Sequence, residues 1–208
     1  MLDVNTLRLA MREISDTMAA NRQYLIELDQ RNGDGDLGIS MSEGFAAASA
    51  FVNGSDETDL GKLMIGASKV FNEAAPSSLG TIMSLWMMGM ARVLKGREAA
   101  DAALLGEALV AGVAKIMERA NSKPGEKTVL DALDPAARAL CENASLGMVP
   151  ALNAAAKAAK EGSDSTAAMK AVHGRAAYYG DKTIGLIDGG SVAGKLVFEA
   201  LYKAAQKI

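Results

Sequence analysis

Apolar side chains recur at helical spacing along almost the whole chain, and that pattern constrains the fold more than any other feature. Leu7, Met11, Ile14 and Met18 fall on one face of a first helix, which Tyr24, Leu25 and Leu28 continue. No alternating run of β-branched residues is long enough to make a strand. Half of the residues are apolar and only 4% are aromatic. Ala, Leu and Met carry the apolar share, and they lose little rotamer freedom in a helix. Gly, Pro, Asn and Asp cut the pattern at fairly regular intervals. Asn5 or Thr6 is placed to cap the first helix. Further helices are expected over about 38–53, from 59 to about Asn72, from Ser77 and Ser78 to about Lys95, and on to about Arg119. After a loop at 121–128, Asp134 and Pro135 read as the start of a sixth helix, kinked near Gly147 or Pro150 and running to Lys160. A seventh starts at 162–164, and a last one follows a polar loop over 179–191. The expected fold is all-α: one domain over 1–208, a barrel or bundle of about eight antiparallel up-and-down helices.

Against this background, residues 29–38 stand out as DQRNGDGDLG, three aspartates and three glycines in one turn. Gly33, Gly35 and Gly38 match G-x-G-x-x-G, but a helix precedes them where a dinucleotide fold needs a strand, and Asp34 and Asp36 would repel phosphate. A calcium loop beginning at Asn32 fails at its sixth position, where Leu37 replaces the turn glycine. A plain polar loop remains a reading of the turn by itself. It leaves mutual repulsion among Asp29, Asp34 and Asp36 unanswered, whereas a hard cation held by carboxylate oxygens answers it. The turn therefore reads best as a Mg2+ cradle, with the glycines letting the backbone fold tightly.

Other features point to ordinary roles. GEKT (125–128) and GDKT (180–183) lack the glycine spacing and preceding strand of a phosphate loop. His173 is the only histidine, so no triad or paired-histidine metal site can be built on it. Cys141 is the only cysteine, which excludes an internal disulfide and a thiolate metal cluster. The Met-rich stretch 81–93 reads as core. A net charge of −3 argues against nucleic acid as a partner. No long uncharged apolar run suggests a membrane span or signal peptide, so the expectation is a soluble, cytoplasmic protein.

Four segments together carry a resemblance. LDQRNGDGDLGISMSEGF (28–45) is similar to L-D-x-x-x-G-D-G-D-H-G-x-N-M-x-x-G-F, and SSLGTIMS (77–84) to a Ser/Gly phosphate loop before a helix. KPGEKTVLDALDPA (123–136) is similar to G-D-K-T-M-L-D-A-L-x-P-A, and HGRAAYYGDKTIGLIDGGS (173–191) to G-R-A-S-Y-L-G-E-R-S-I-G-x-x-D-P-G-A. Their order and spacing agree over nearly the whole chain. The chain thus resembles the nucleotide-binding L subunit of dihydroxyacetone kinase, the DhaL or DAK2 domain family, as a divergent member.

The resemblance implies an eight-helix barrel with its site in the loops at one end. It implies that Asp29, Asp34 and Asp36 hold two Mg2+ ions bridging the phosphates of ADP or ATP, and so serve as metal ligands and catalytic groups. It implies nucleotide contacts at Gly38, Ser40, Ser77, Ser78, Gly80, Thr81, Gly174, Arg175, Lys182 and Asp188. The start of the helix at 77–81 suits phosphate oxygens by its dipole and free N–H groups. The phosphoryl acceptor would be a small hydroxyketone or polyol held by a separate K-type subunit. The donor would be exchangeable ATP, or bound ADP recharged by a phosphotransferase-system protein.

This sequence departs from the family pattern mainly on the nucleotide side. Leu37 stands for the histidine of G-D-G-D-H-G, Ser40 for an asparagine, and Leu79 for a common serine. Asp181, Lys182 and Thr183 replace E-R-S, and Asp188, Gly189 and Gly190 replace D-P-G. Lys for Arg loses a bidentate fork. All three metal aspartates remain. Two functions stand: a kinase subunit, or a weakened binding or regulatory module that holds Mg-ADP and docks a partner protein.

Overall fold

The computed structural model describes residues 1–207. Its first helix is capped earlier than the sequence suggested. The Asp3 carboxylate accepts the Thr6 N–H at 2.9 Å, while Thr6 Oγ1 accepts the Asp3 N–H at 2.6 Å. Thr6 is therefore the reciprocal partner in a capping box, and neither it nor Asn5 is the cap. Helix α1 (Val4–Ala20) breaks at Asn21 and continues as α2 (Arg22–Asp29), so the two form one bent stave. Then come α3 (Leu37–Gly54), α4 (Leu60–Ala74), α5 (Ser78–Leu94), α6 (Ala102–Ala120), α7 (Leu130–Glu142), α8 (Met148–Ser165) and α9 (Gly189–Ala205). Short 3-10 turns occupy Ala144–Leu146, Thr166–Ala168 and Arg175–Thr183. Two short strands, β1 (Leu2–Asp3) and β2 (Ala99–Ala100), pair antiparallel and tie the N-terminus to the α5–α6 link.

From α3 onward each helix packs on the next in sequence, α1 packs on α3, and α9 returns to α1. The ring closes as eight staves, counting α1 and α2 together. Inside it lie Met18, Leu25, Met41, Phe45, Met83, Met87, Leu109 and Phe198, all at most 1% exposed. Each such side chain contributes about 1.5–3 kcal/mol by leaving water. Met83, Trp86, Met87 and Met90 are buried, so one face of the Met-rich stretch is core, while Met88 is exposed; Trp86 meets Phe198 with ring centres 6.2 Å apart.

The expected number of staves is right, but the C-terminal half is divided differently. The helix expected to start at Asp134 begins at Leu130 and ends at Glu142, and Gly147, at φ +94°, separates it from α8. Pro135 sits inside α7 rather than opening it, and Pro150 lies in the first turn of α8. Residues 162–164 belong to α8 and start no helix. The final helix begins at Gly189, inside the stretch expected to be loop.

This topology positions the site. Successive staves run in opposite directions, and the first residues of α3, α5, α7 and α9 (Leu37, Ser78, Leu130 and Gly189) line one cavity with Asp29, at the end of the barrel where α2 finishes. Four positive helix ends therefore face one mouth.

Candidate metal and phosphate site

Asp29 is the last residue of α2, and its backbone and side chain both organise the turn that follows. Its carbonyl accepts the N–H groups of Asn32 at 3.2 Å and Gly33 at 2.6 Å. Its Oδ2 accepts Gly35 N–H at 2.7 Å and Asp36 N–H at 3.1 Å. A Cβ on Gly33 would lie 2.2 Å from Asp29 Oδ1, so the carboxylate can sit there only against glycine. Gly35 takes φ +80°, a left-handed conformation that glycine adopts freely. Asp36 precedes α3, yet its carboxylate makes no capping bond to that helix.

The result is a cradle: one oxygen from each of Asp29, Asp34 and Asp36 lies within 4.8 Å of the others. Burial pushes the Asp36 carboxyl above the usual range, and the charges of Asp34 and Asp29 push the same way. Like charges 4 Å apart repel by about 1 kcal/mol in water and about 4 kcal/mol near a protein surface. Arg175 answers part of that charge, with Nη2 2.8 Å from Asp34 Oδ2. Three convergent carboxylate oxygens are a donor set for a hard divalent cation such as Mg2+.

Across the mouth, Ser77 caps α5: its Oγ accepts Gly80 N–H at 3.0 Å. The first-turn N–H groups of Ser78 and Leu79 have no acceptor within the helix. Asp188 caps α9, with Oδ2 accepting Ser191 N–H at 2.6 Å. Burial pushes the Asp188 carboxyl up to about 7, against the lowering effects of that N–H and of Lys127. The cradle and the helix starts enclose a cavity of about 830 Å3.

Asp29, Asp34, Asp36, Ser77, Ser78, Thr81, Gly174, Arg175 and Asp188 line this cavity. The other residues singled out in the sequence lie elsewhere. Gly38 lets α3 approach α2, because a Cβ there would stand 2.1 Å from the Arg22 carbonyl. Gly80 tucks under the Ala75 carbonyl, where a Cβ would be 1.9 Å away. Ser40 is buried within α3, and Lys182 is exposed on the Arg175–Thr183 turn.

The structure adds residues that sequence reasoning passed over. Lys127, 3% exposed and at φ +60°, donates to the carbonyls of Thr166 (2.6 Å), Met169 (3.2 Å) and Leu186. Burial holds its ammonium below the usual lysine range. Asp131 orders the same loop by accepting Gly125 N–H at 2.5 Å and Thr128 N–H at 2.7 Å. His173 lines the cavity as well, with Nε2 2.6 Å from Glu126 Oε2. Leu37 packs across the mouth against α9, where a Cβ on Gly189 would meet its Cδ2 at 2.7 Å.

An all-α closed barrel, with an acidic cradle facing several helix starts at one mouth, defines the class of protein. The model of the DAK2 domain matches residues 32–203, and the chain belongs to that family. It is 28% identical over 191 residues to the PEP-dependent dihydroxyacetone kinase 1, ADP-binding subunit DhaL, of Listeria innocua, covering 92% of this chain and 91% of that one. The corresponding Escherichia coli subunit is 25% identical over 92% of each chain. The rat triokinase/FMN cyclase is 28% identical over 96% of this chain, which spans only 35% of that larger protein. In fold, the chain is similar to the dihydroxyacetone kinase of C. freundii in complex with AMP-PNP and Mg2+, with a TM-score of 0.75 and 24% identity over 93% of this chain and 33% of that one. No helix among the described residues is long and apolar enough to cross a membrane.

Proposed function

We propose that this chain is the nucleotide- and Mg2+-binding subunit of a dihydroxyacetone-type kinase. It would pass a phosphoryl group from ATP, or from rephosphorylated bound ADP, to a small hydroxyketone or polyol held by a K-type subunit. The observation that carries this reading is the placement of the three-aspartate cradle opposite the starts of α5 and α9 in one cavity. Asp29, Asp34 and Asp36 would hold Mg2+, as the two ions that the family resemblance implies. Bound there, Mg2+ would neutralise phosphate charge and favour in-line transfer. Ser77, Ser78 and Thr81 would orient phosphate oxygens at the α5 start. Arg175 would offer a forked cation from the opposite wall. The relatives named as ADP-binding subunits, which this chain matches nearly end to end, support the same reading.

The test is phosphoryl transfer to dihydroxyacetone in the presence of a K-type subunit, with ATP in one arm and a phosphotransferase donor protein in the other. Turnover in either arm that Asp34→Ala abolishes is the expected result. Tight Mg-ADP binding with no turnover in either arm would instead establish the second reading, a binding or regulatory module. Leu37 favours that second reading, because an apolar side chain lines the mouth between the starts of α3 and α9 where the family pattern has a histidine.

A further inference from the structure

The segment between α8 and α9 is fastened to the barrel unevenly. At its two ends Lys127 grips it through the carbonyls of Thr166, Met169 and Leu186. Gly185 N–H also closes onto the Ala167 carbonyl at 2.7 Å. Between these ends, most of its bonds are internal: Ala171 N–H to Thr183 Oγ1, Thr183 Oγ1 to the Gly180 carbonyl, and Lys170 to Asp181. Among the described residues, the polar ties of 171–184 to the rest of the barrel fall at three neighbouring positions. Val172 N–H reaches the Glu126 carbonyl at 3.4 Å, His173 reaches the Glu126 carboxylate, and Arg175 reaches Asp34. Gly174, between the last two, sits at φ +65° with nothing within 4 Å of where a Cβ would be. Beyond them much of the segment is open to solvent, with Tyr178 91% exposed, although Thr183 is buried.

We infer that His173 and Glu126 are a positioning pair, which sets where Arg175 stands over the aspartate cradle. Glu126 is itself held in place, since its Oε2 also accepts the Lys123 N–H at 3.0 Å. The imidazole donates to a fixed carboxylate, and the guanidinium two residues later can then reach only a limited arc. Without the pair, the position of Arg175 would depend on its exposed ion pair with Asp34 and on the long Val172 N–H bond to the Glu126 carbonyl, and exposed pairs are weak. The consequence for nucleotide rests on the reading given under Proposed function; the tether itself does not.

The experiment compares wild type with His173→Ala, Glu126→Ala and His173→Gln, first by amide hydrogen exchange without ligand. A hydrogen bond to a charged group predicts about tenfold faster exchange over 174–184 in both alanine variants. It predicts no further increase in the double variant. The Gln amide can donate where Nε2 does, so His173→Gln should stay close to wild type. Unchanged exchange in the alanine variants overturns the inference. The second readout is Mg-ADP affinity in a cycle with Arg175→Ala. His173→Ala should weaken binding about tenfold in wild type and hardly at all when Arg175 is already absent. An equal loss in both backgrounds overturns the positioning role. If wild type binds no nucleotide, the proposed function falls, and the exchange comparison alone decides the tether.

Discussion

Arg175 Nη2 lies 2.8 Å from Asp34 Oδ2, so the loop before α9 supplies a cation to the turn after α2. The contact spans most of the chain and joins the two walls of the cavity. It gives Arg175 opposite effects on two ligands. Without the guanidinium the cradle is more negative, so Arg175→Ala should bind Mg2+ alone about two- to fivefold more tightly. The same variant should bind Mg-ADP about tenfold more weakly, having lost a charge-assisted contact to phosphate. Calorimetry with each ligand separates the two effects. A change of the same sign for both would contradict these roles.

Gly33 tests the cradle without removing a carboxylate. A Cβ there would stand 2.2 Å from Asp29 Oδ1 and 2.8 Å from the Asp29 carbonyl. Gly33→Ala should displace Asp29 and weaken Mg2+ binding by at least about tenfold, the effect of losing one charged ligand contact. The turn is at the surface, so the melting temperature of the metal-free protein should move by only a few degrees. Thermal melts with and without Mg2+ measure both quantities.

Asp188 predicts an unusual pH dependence. Burial raises its carboxyl to about 7 in the folded chain, while an unfolded aspartate titrates near 4, about its model value. The folded state therefore holds this proton to higher pH. The stability it contributes is full below about pH 4 and is lost as pH rises through about 7. Asp188→Asn keeps the α9 cap, because asparagine caps as well as aspartate, but removes the titration. Urea melts of the metal-free proteins at about pH 5 and about pH 8 should show wild type losing stability relative to the variant as pH rises. The opposite slope would refute the assignment.

Lys127 should matter to folding more than its place in a loop suggests. Lys127→Met leaves the carbonyls of Thr166, Met169 and Leu186 without their shared donor. The expected cost is about 2–4 kcal/mol, from groups left unpaired in the interior. Chemical denaturation gives the magnitude, and exchange should locate the loosening at both ends of the α8–α9 segment.

The aspartate turn was legible because everything that makes it is local. Charge, glycines and helix end fall within ten residues, and the structure places all three carboxylates together. The start of α7 was misread because Asp134 and Pro135 look like a cap followed by a first-turn proline. In the fold, Pro135 lies inside α7, and Gly162 of α8 packs onto the Asp131 carbonyl that the proline leaves without a helical donor. That close contact sits on another helix, and periodicity cannot reveal it. Lys127 and His173 were passed over for a related reason. Lys127 gains its meaning from carbonyls 39 to 59 positions away, and His173 from a glutamate 47 positions away. The convergence of four helix starts at one mouth was legible only through the family resemblance, which implied a site in the loops at one end of the barrel.

The most direct measurement is calorimetric titration of ADP and ATP, each with and without Mg2+, into wild type and Asp34→Ala. The central claim, that one mouth of the barrel joins metal and nucleotide, predicts Mg2+-dependent binding by wild type that Asp34→Ala loses. Nucleotide binding that is indifferent to Mg2+ and to Asp34, or no binding by wild type at all, would contradict it.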